Sequence, residues 1–197
     1  LRAFKLGELA LVDLTAFELK GGKLANLRQS LSRGARDGLT FEVIEQAQVP
    51  AILDELKQVS DSWLAHHNTR EKRFSLGAFE PDYILSQPVA ILRKDGKITA
   101  FANLMVTDTK KEATVDLMRF SPDAPRGSMD FLFVSIMQHL REAGYESFNL
   151  GMAPMSGMSK RDAAPVWDRI GSTLFEHGER FYNFKGLRAF KAKFHPK

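Results

Sequence analysis

The sequence predicts an α/β (α+β) domain: a mixed, largely antiparallel sheet flanked by helices. Three observations predict it. Two β-rich runs, Val89–Arg93 and Lys97–Val106, flank Lys94-Asp95-Gly96, and Asp-Gly between such runs is a strong hairpin signal. Glu112–Phe120 follows as a third alternating strand and completes a meander. A helical stripe from Ser128 to Gly144 then leads into a further strand at Ser147–Gly151, giving the strand–helix–strand order of a crossover.

The elements follow in order. Gly7–Leu14 (GELALVDL) reads as an opening strand, and Gly21-Gly22 breaks the chain after it. Leu24, Leu27 and Leu31 recur at helical spacing between Lys23 and Arg33, with Gly34 and Gly38 expected to end that helix. Leu39–Glu45 alternates as a strand. Pro50 suits a first helical turn, and Ile52, Leu56, Val59 and Trp63 form a stripe through His67. Asn68–Asp82 reads as a long connection. Ser128 is expected to cap the helix whose face carries Leu132, Phe133, Ile136, Met137 and Leu140. Arg161–His177 reads mostly as helix, and Arg180–Phe194 as a turn followed by a short basic helix. Meander first, crossover second, this is the order of the acyltransferase fold of the GCN5-related N-acetyltransferase type.

Composition narrows the function. The chain is 44% hydrophobic and 26% charged, near the globular average, and no apolar run approaches the roughly 18 residues that span a bilayer. With no cysteine there is no disulfide framework, thiolate metal site or cysteine nucleophile. His66 and His67 are adjacent, so on a helix they point about 100° apart, and no acid stands at ligand spacing; no metal is expected. Net charge is only +4, but basic residues cluster. Lys20, Lys23, Arg28, Arg33 and Arg36 form one acid-free zone, and Arg180, Lys185, Arg188, Lys191, Lys193 and Lys197 another. Such zones suit phosphates of nucleic acid or lipid, although a solvated helix face presents the same pattern. The ends, Leu1-Arg2-Ala3-Phe4 and Phe194-His195-Pro196-Lys197, read as cuts through a longer protein.

Several motifs belong together: FKLGELALVDLTAF at the start, Gly22-Lys23 followed by Leu27-Arg28, FSLGAF at Phe74–Phe79, FNLGMAPMSG at Phe148–Gly157 and FYNFKGLRAFKAKFHP at Phe181–Pro196. Together they resemble the C-terminal cytoplasmic domain of the aminoacyl-phosphatidylglycerol synthases, also called multiple peptide resistance factors, over nearly the whole chain. The resemblance implies two tandem acyltransferase-like folds, residues 1–20 finishing the first and 21–197 forming the second. It implies transfer of lysine or alanine from aminoacyl-tRNA to a glycerol hydroxyl of phosphatidylglycerol, with no cofactor. It places the domain on the cytoplasmic side of a bacterial inner-membrane protein with which it can self-associate. Masking an anionic lipid in this way weakens attraction of cationic antimicrobial peptides.

Such a reaction must hold two anionic substrates, remove a proton from the attacking hydroxyl and stabilise an oxyanion. Asp116 and Arg119 match a D-x-x-R element of the family. Simple alternation puts them on opposite faces of a strand, so both reach one cleft only if the strand is bulged or Arg119 lies beyond its end; a bulge is expected here. In role, Asp116 either binds the α-ammonium of the aminoacyl group or acts as base, and Arg119 holds a phosphate. An exposed Asp–Arg ion pair is the plainer alternative. Lys185, Arg188 and Lys191 sit three apart and are expected to share a helix face, Lys185 in the chemistry, Arg188 and Lys191 on the lipid phosphate and tRNA 3′ end. Lys23 and Arg28 are candidates for a tRNA-facing surface. The Met152, Met155 and Met158 group reads as a soft apolar lining or as filler. Asp116 and the closing basic segment are expected to act in one groove.

Two other classes fit the topology. An acetyl-CoA-dependent N-acetyltransferase needs a Q/R-x-x-G-x-G/A loop before its helix, whereas Asp123-Ala124-Pro125-Arg126-Gly127-Ser128 has one glycine and a proline. A non-catalytic RNA- or membrane-binding module would need the basic zones but not Asp116.

Overall fold

The computed structural model describes residues 7–68, 71, 77–154 and 184–197. The elements are β1 (Gly7–Asp13), α1 (Ala25–Arg36), β2 (Thr40–Ile44), a 3-10 segment (Gln46–Ile52), α2 (Leu53–His66), α3 (Pro81–Ile84), β3 (Val89–Lys94), β4 (Lys97–Met105), β5 (Glu112–Phe120), α4 (Ser128–Glu142), β6 (Ser147–Pro154) and α5 (Phe184–Ala192). The fold is α+β with a largely antiparallel sheet flanked by helices, in the order expected of the GCN5-related type. The expected helix over 161–177 lies outside the described residues.

The chain divides into two compact units, one of residues 14–148 and one of residues 1–13 with 149–197. In the larger unit the strands lie in the order β5-β4-β3-β2, every neighbour antiparallel. Lys94 pairs with Lys97 across Asp95 and Gly96, whose φ angles of 51° and 78° are the left-handed pair that a two-residue hairpin turn requires. Both faces of this sheet are covered, which explains the unbroken apolar run of β3. Val89 and Ile91 join Leu56, Val59, Phe101 and Leu117 in a core beneath α2, while Ala90 and Leu92 are equally buried on the opposite face. There α4 contributes Leu132, Phe133, Ile136 and Met137, each buried at 1% exposure or less and each stabilising by about 1.5–3 kcal/mol.

Four local expectations change. Gly34 lies inside α1 rather than at its end, because a side chain there would collide with Phe131 of α4; Gly38, at φ 78°, follows the helix end. Pro50 lies within the 3-10 segment, and α2 begins after it. The connection after α2 contains the short helix α3, with Pro81 at its first position. Gly127, at φ 89°, occupies the cap position of α4, and the Ser128 hydroxyl donates to the Pro125 carbonyl (2.6 Å) instead of capping.

In the smaller unit β1 lies beside β6. The closing segment is tied to β1: Lys197 N donates to Leu11 O (2.8 Å), and Lys197 Nζ pairs with Asp13 (2.7 Å). Phe194 is buried and meets Phe190 edge to face at 5.3 Å. Among the described residues no helix is long and apolar enough to cross a membrane.

Candidate functional site

The register between β4 and β5 slips once. Ala102 pairs with Met118, but Leu104 pairs with Val115, so the single residue Asn103 opposes two, Asp116 and Leu117. This is the bulge expected from the odd spacing of Asp116 and Arg119, and Arg119 itself lies within β5. Its effect is to put Asp116, Leu117 and Arg119 on one face. Leu117 enters the core beneath α2, Asp116 meets Tyr83 of α3, and Arg119 meets Trp63 of α2.

Asn103 maintains the bulge. Its side chain is fully buried, and its Oδ1 accepts from Leu117 N (2.8 Å) and Asp116 N (3.2 Å), the two amides that have only one residue opposite them. The Tyr83 hydroxyl donates to Asp116 Oδ2 at 2.6 Å, a short charge-assisted bond. Burial, followed by that hydrogen bond, holds the Tyr83 phenol above its usual range, with Asn103 pulling the other way. Tyr83 therefore stays a donor through the neutral range. Gly77 presses on the pair from the preceding segment. A Cβ there would overlap Asp116 Oδ2 and stand 2.9 Å from Tyr83 Cε1.

Arg119 is only 12% exposed. Its Nη2 pairs with Glu71 Oε2 (3.2 Å), and its guanidinium lies 4.2 Å from the Trp63 ring centroid. Glu71 Oε1 in turn accepts from Phe79 N (3.2 Å), two residues beyond Gly77, so one short segment touches both halves of the D-x-x-R element. The Trp63 ring also stacks with His67 at 4.3 Å, and His67 Nδ1 donates to the Trp63 carbonyl (2.8 Å). His67 thus belongs to the aromatic cluster around Arg119.

Sequence reasoning singled out Asp116 and Arg119 but missed Tyr83, Asn103, Gly77 and Glu71. Two signals were available: a lone asparagine within the apolar run of β4, and the Glu80-Pro81-Asp82 helix start that places Tyr83.

In the smaller unit the two described basic positions of the predicted face of α5, Arg188 and Lys191, behave differently. Arg188 is exposed at 57% and pairs with Glu8 (3.1 Å). Lys191 is buried at 7% exposure, and its Nζ donates to the Met152 carbonyl (2.9 Å). The expected common wet face therefore does not extend to Lys191. Four residues after Leu187 and three before Phe194, it lies at the apolar side of the helix as much as the basic one. Desolvation lowers its pKa to about 8. The Lys185 side chain lies outside the described set, as do Met155, Met158, Phe181 and Tyr182. Met152 is exposed at the end of β6. Arg28, a candidate for nucleic-acid contact, instead donates to the carbonyls of Leu19 (3.0 Å) and Gly21 (2.7 Å), closing the turn before α1.

Comparison with known proteins adds the family dimension. The family described as phosphatidylglycerol lysyltransferase, C-terminal, matches residues 1–197. The chain is 43% identical over 194 residues to the phosphatidylglycerol lysyltransferase of Bacillus subtilis (strain 168), covering 98% of this chain and 22% of that protein. Among solved structures it is similar to the C-terminal domain assigned to a lysylphosphatidylglycerol synthetase from Agrobacterium fabrum, at 89% identity and a TM-score of 0.85, covering 100% of this chain and 58% of that one. The L-PGS of Bacillus licheniformis matches at 42% identity and a TM-score of 0.80, covering 98% and 58%.

Proposed function

The chain belongs to the phosphatidylglycerol lysyltransferase C-terminal family, and from that premise we propose that it serves the transfer of lysine or alanine from aminoacyl-tRNA to phosphatidylglycerol. A lipid glycerol oxygen attacks the aminoacyl ester carbon, the bond to the tRNA 3′ oxygen breaks, and that oxygen takes up the proton the glycerol hydroxyl gives away. One ester replaces another, so positioning and electrostatics supply the rate.

The observation that carries the reading is the Asp116 carboxylate, held by Tyr83 on a bulge in a chain that matches the family throughout. Only Oδ2 is engaged by Tyr83; among the described residues Oδ1 accepts no hydrogen bond. In this proposal Oδ1 is the acceptor for a substrate proton, on the α-ammonium or the attacking hydroxyl. Arg119 and Arg188 hold substrate phosphate, each exchanging its present carboxylate partner for it. Lys185 stabilises the developing oxyanion, and Lys191 joins Arg188 as a cation for the lipid phosphate and the tRNA 3′ end. The acceptor lipid makes the domain part of a membrane-surface reaction, on the cytoplasmic side where charged tRNA is found.

The test is a transfer assay in the longer synthase, with phosphatidylglycerol vesicles and tRNA charged with lysine or with alanine. Asp116→Ala should abolish turnover while tRNA binding persists. Wild-type transfer by Asp116→Ala would remove the catalytic reading and favour a non-catalytic RNA- or membrane-binding module. Micromolar acetyl-CoA binding by calorimetry would favour an N-acetyltransferase instead.

A further inference from the structure

We propose that Tyr83 and Asn103 are positioning residues for the Asp116 carboxylate, Asn103 acting through the Asp116 backbone and Tyr83 through Oδ2, so that one carboxylate oxygen is left for the substrate. The inference rests on the function proposed above and adds the parts through which Asp116 is aimed.

Asn103 acts on the backbone of the bulge. Asn103 Oδ1 is committed to the amides of Asp116 and Leu117, so the orientation of its side-chain amide is set by two bonds rather than by choice. Nδ2 must then lie on the other side of the amide. It is fully buried and has no hydrogen-bond partner among the described residues. Tyr83 acts on the side chain itself, donating to Asp116 Oδ2.

The carboxylate is restrained from three directions. The bulge fixes the Asp116 backbone, Tyr83 fixes Oδ2, and Gly77 closes the space into which the carboxylate would otherwise swing. A carboxylate restrained in this way presents Oδ1 along one direction, and a short displacement of a reacting group is costly in rate. A tyrosine that only filled space would not need its hydroxyl on that oxygen, and a glycine that only turned the chain would not need contact with it.

The experiment compares Tyr83→Phe, Asp116→Asn and wild type in the longer synthase, with phosphatidylglycerol vesicles and lysyl- or alanyl-tRNA, reading kcat, both KM values and the melting temperature. Tyr83→Phe should lower kcat by about 10- to 100-fold, with each KM within about threefold and the melting temperature within about 2 °C of wild type. Wild-type kcat in Tyr83→Phe beside an inactive Asp116→Asn would overturn the positioning role while leaving the proposed function standing. Wild-type kcat in Asp116→Asn would overturn both. A Tyr83→Phe variant with a lowered melting temperature and both KM values raised would also overturn it, because that is the pattern of a loosened fold.

Discussion

Asn103 faces Asp116 across the β4–β5 ladder, and its single side-chain oxygen accepts from both Asp116 N and Leu117 N. A bulge strands one amide without a ladder partner, and here a buried side chain takes the place of the missing carbonyl. The consequence reaches beyond the ladder. Without the extra residue, alternation would send Asp116 and Arg119 to opposite faces; with it, both stand beneath α2 and α3.

Replacing Asn103 with leucine keeps the volume but removes the acceptor. One buried amide and one part-buried amide would lose their partner, at a cost of about 1–3 kcal/mol. Urea unfolding should show that loss, and amide hydrogen exchange at Asp116 and Leu117 should quicken selectively. Unchanged protection at both amides would show that the bulge does not depend on Asn103.

Gly77→Ala probes the same carboxylate from outside the sheet. Its Cβ would overlap Asp116 Oδ2 and crowd Tyr83, so the carboxylate must swing away and the 2.6 Å bond must break. Transfer activity should fall about tenfold or more, with a stability loss of about 1–3 kcal/mol. Wild-type kinetics in this variant would mean that the site tolerates a displaced Asp116.

These residues also show what a sequence can and cannot disclose. The Asp95-Gly96 hairpin was legible because two adjacent left-handed positions have a strong local signature. The bulge was legible because an odd spacing conflicted with a shared role. Tyr83 is 33 positions from Asp116, and Glu71 is 48 from Arg119; no periodicity connects them, and only the folded chain does. Gly34 was misread for a related reason. Local pattern treats a glycine near a helix end as a stop, whereas its purpose here is close approach to Phe131, which is almost a hundred residues away in sequence.

That reading of Gly34 has its own test. Alanine has the higher helix propensity by about 1 kcal/mol, so on local grounds Gly34→Ala should stabilise α1. The added Cβ would instead press into the Phe131 ring and lie 3.2 Å from Leu39 Cδ1. A net destabilisation of about 1–3 kcal/mol in thermal or urea unfolding is expected. A raised melting temperature would return Gly34 to the role of an ordinary helical position.

Arg119→Lys keeps the charge and discards the geometry. The planar guanidinium stacks on Trp63 and reaches Glu71 at the same time, which an ammonium cannot do. Loss of the stack should cost about 0.5–2 kcal/mol in stability. If Arg119 also holds substrate phosphate, KM for charged tRNA or for lipid should rise by about tenfold as well. Stability loss with unchanged KM values would confine Arg119 to a structural role.

Lys191 gives the clearest pH dependence. Burial lowers its pKa from 10.5 to about 8, with its Nζ on the Met152 carbonyl. The unfolded chain therefore holds this proton more tightly than the folded one. Below about pH 8 both states are charged, and the folded state bears the desolvation cost; between about 8 and 10.5 the folded lysine is neutral while the unfolded one is not, and stability rises with pH across that window. Lys191→Met keeps the stem and removes the charge. It should unfold later than wild type at pH 7, by about 1–3 kcal/mol, with the advantage shrinking as pH approaches 10.5. The same variant should lose transfer activity if the buried cation serves substrate, so stability and activity would move in opposite directions. Denaturant unfolding at pH 7 and pH 10 measures the first, and the lipid transfer assay the second. A methionine variant less stable than wild type at pH 7 would mean that the bond to Met152 outweighs the cost of burying the charge.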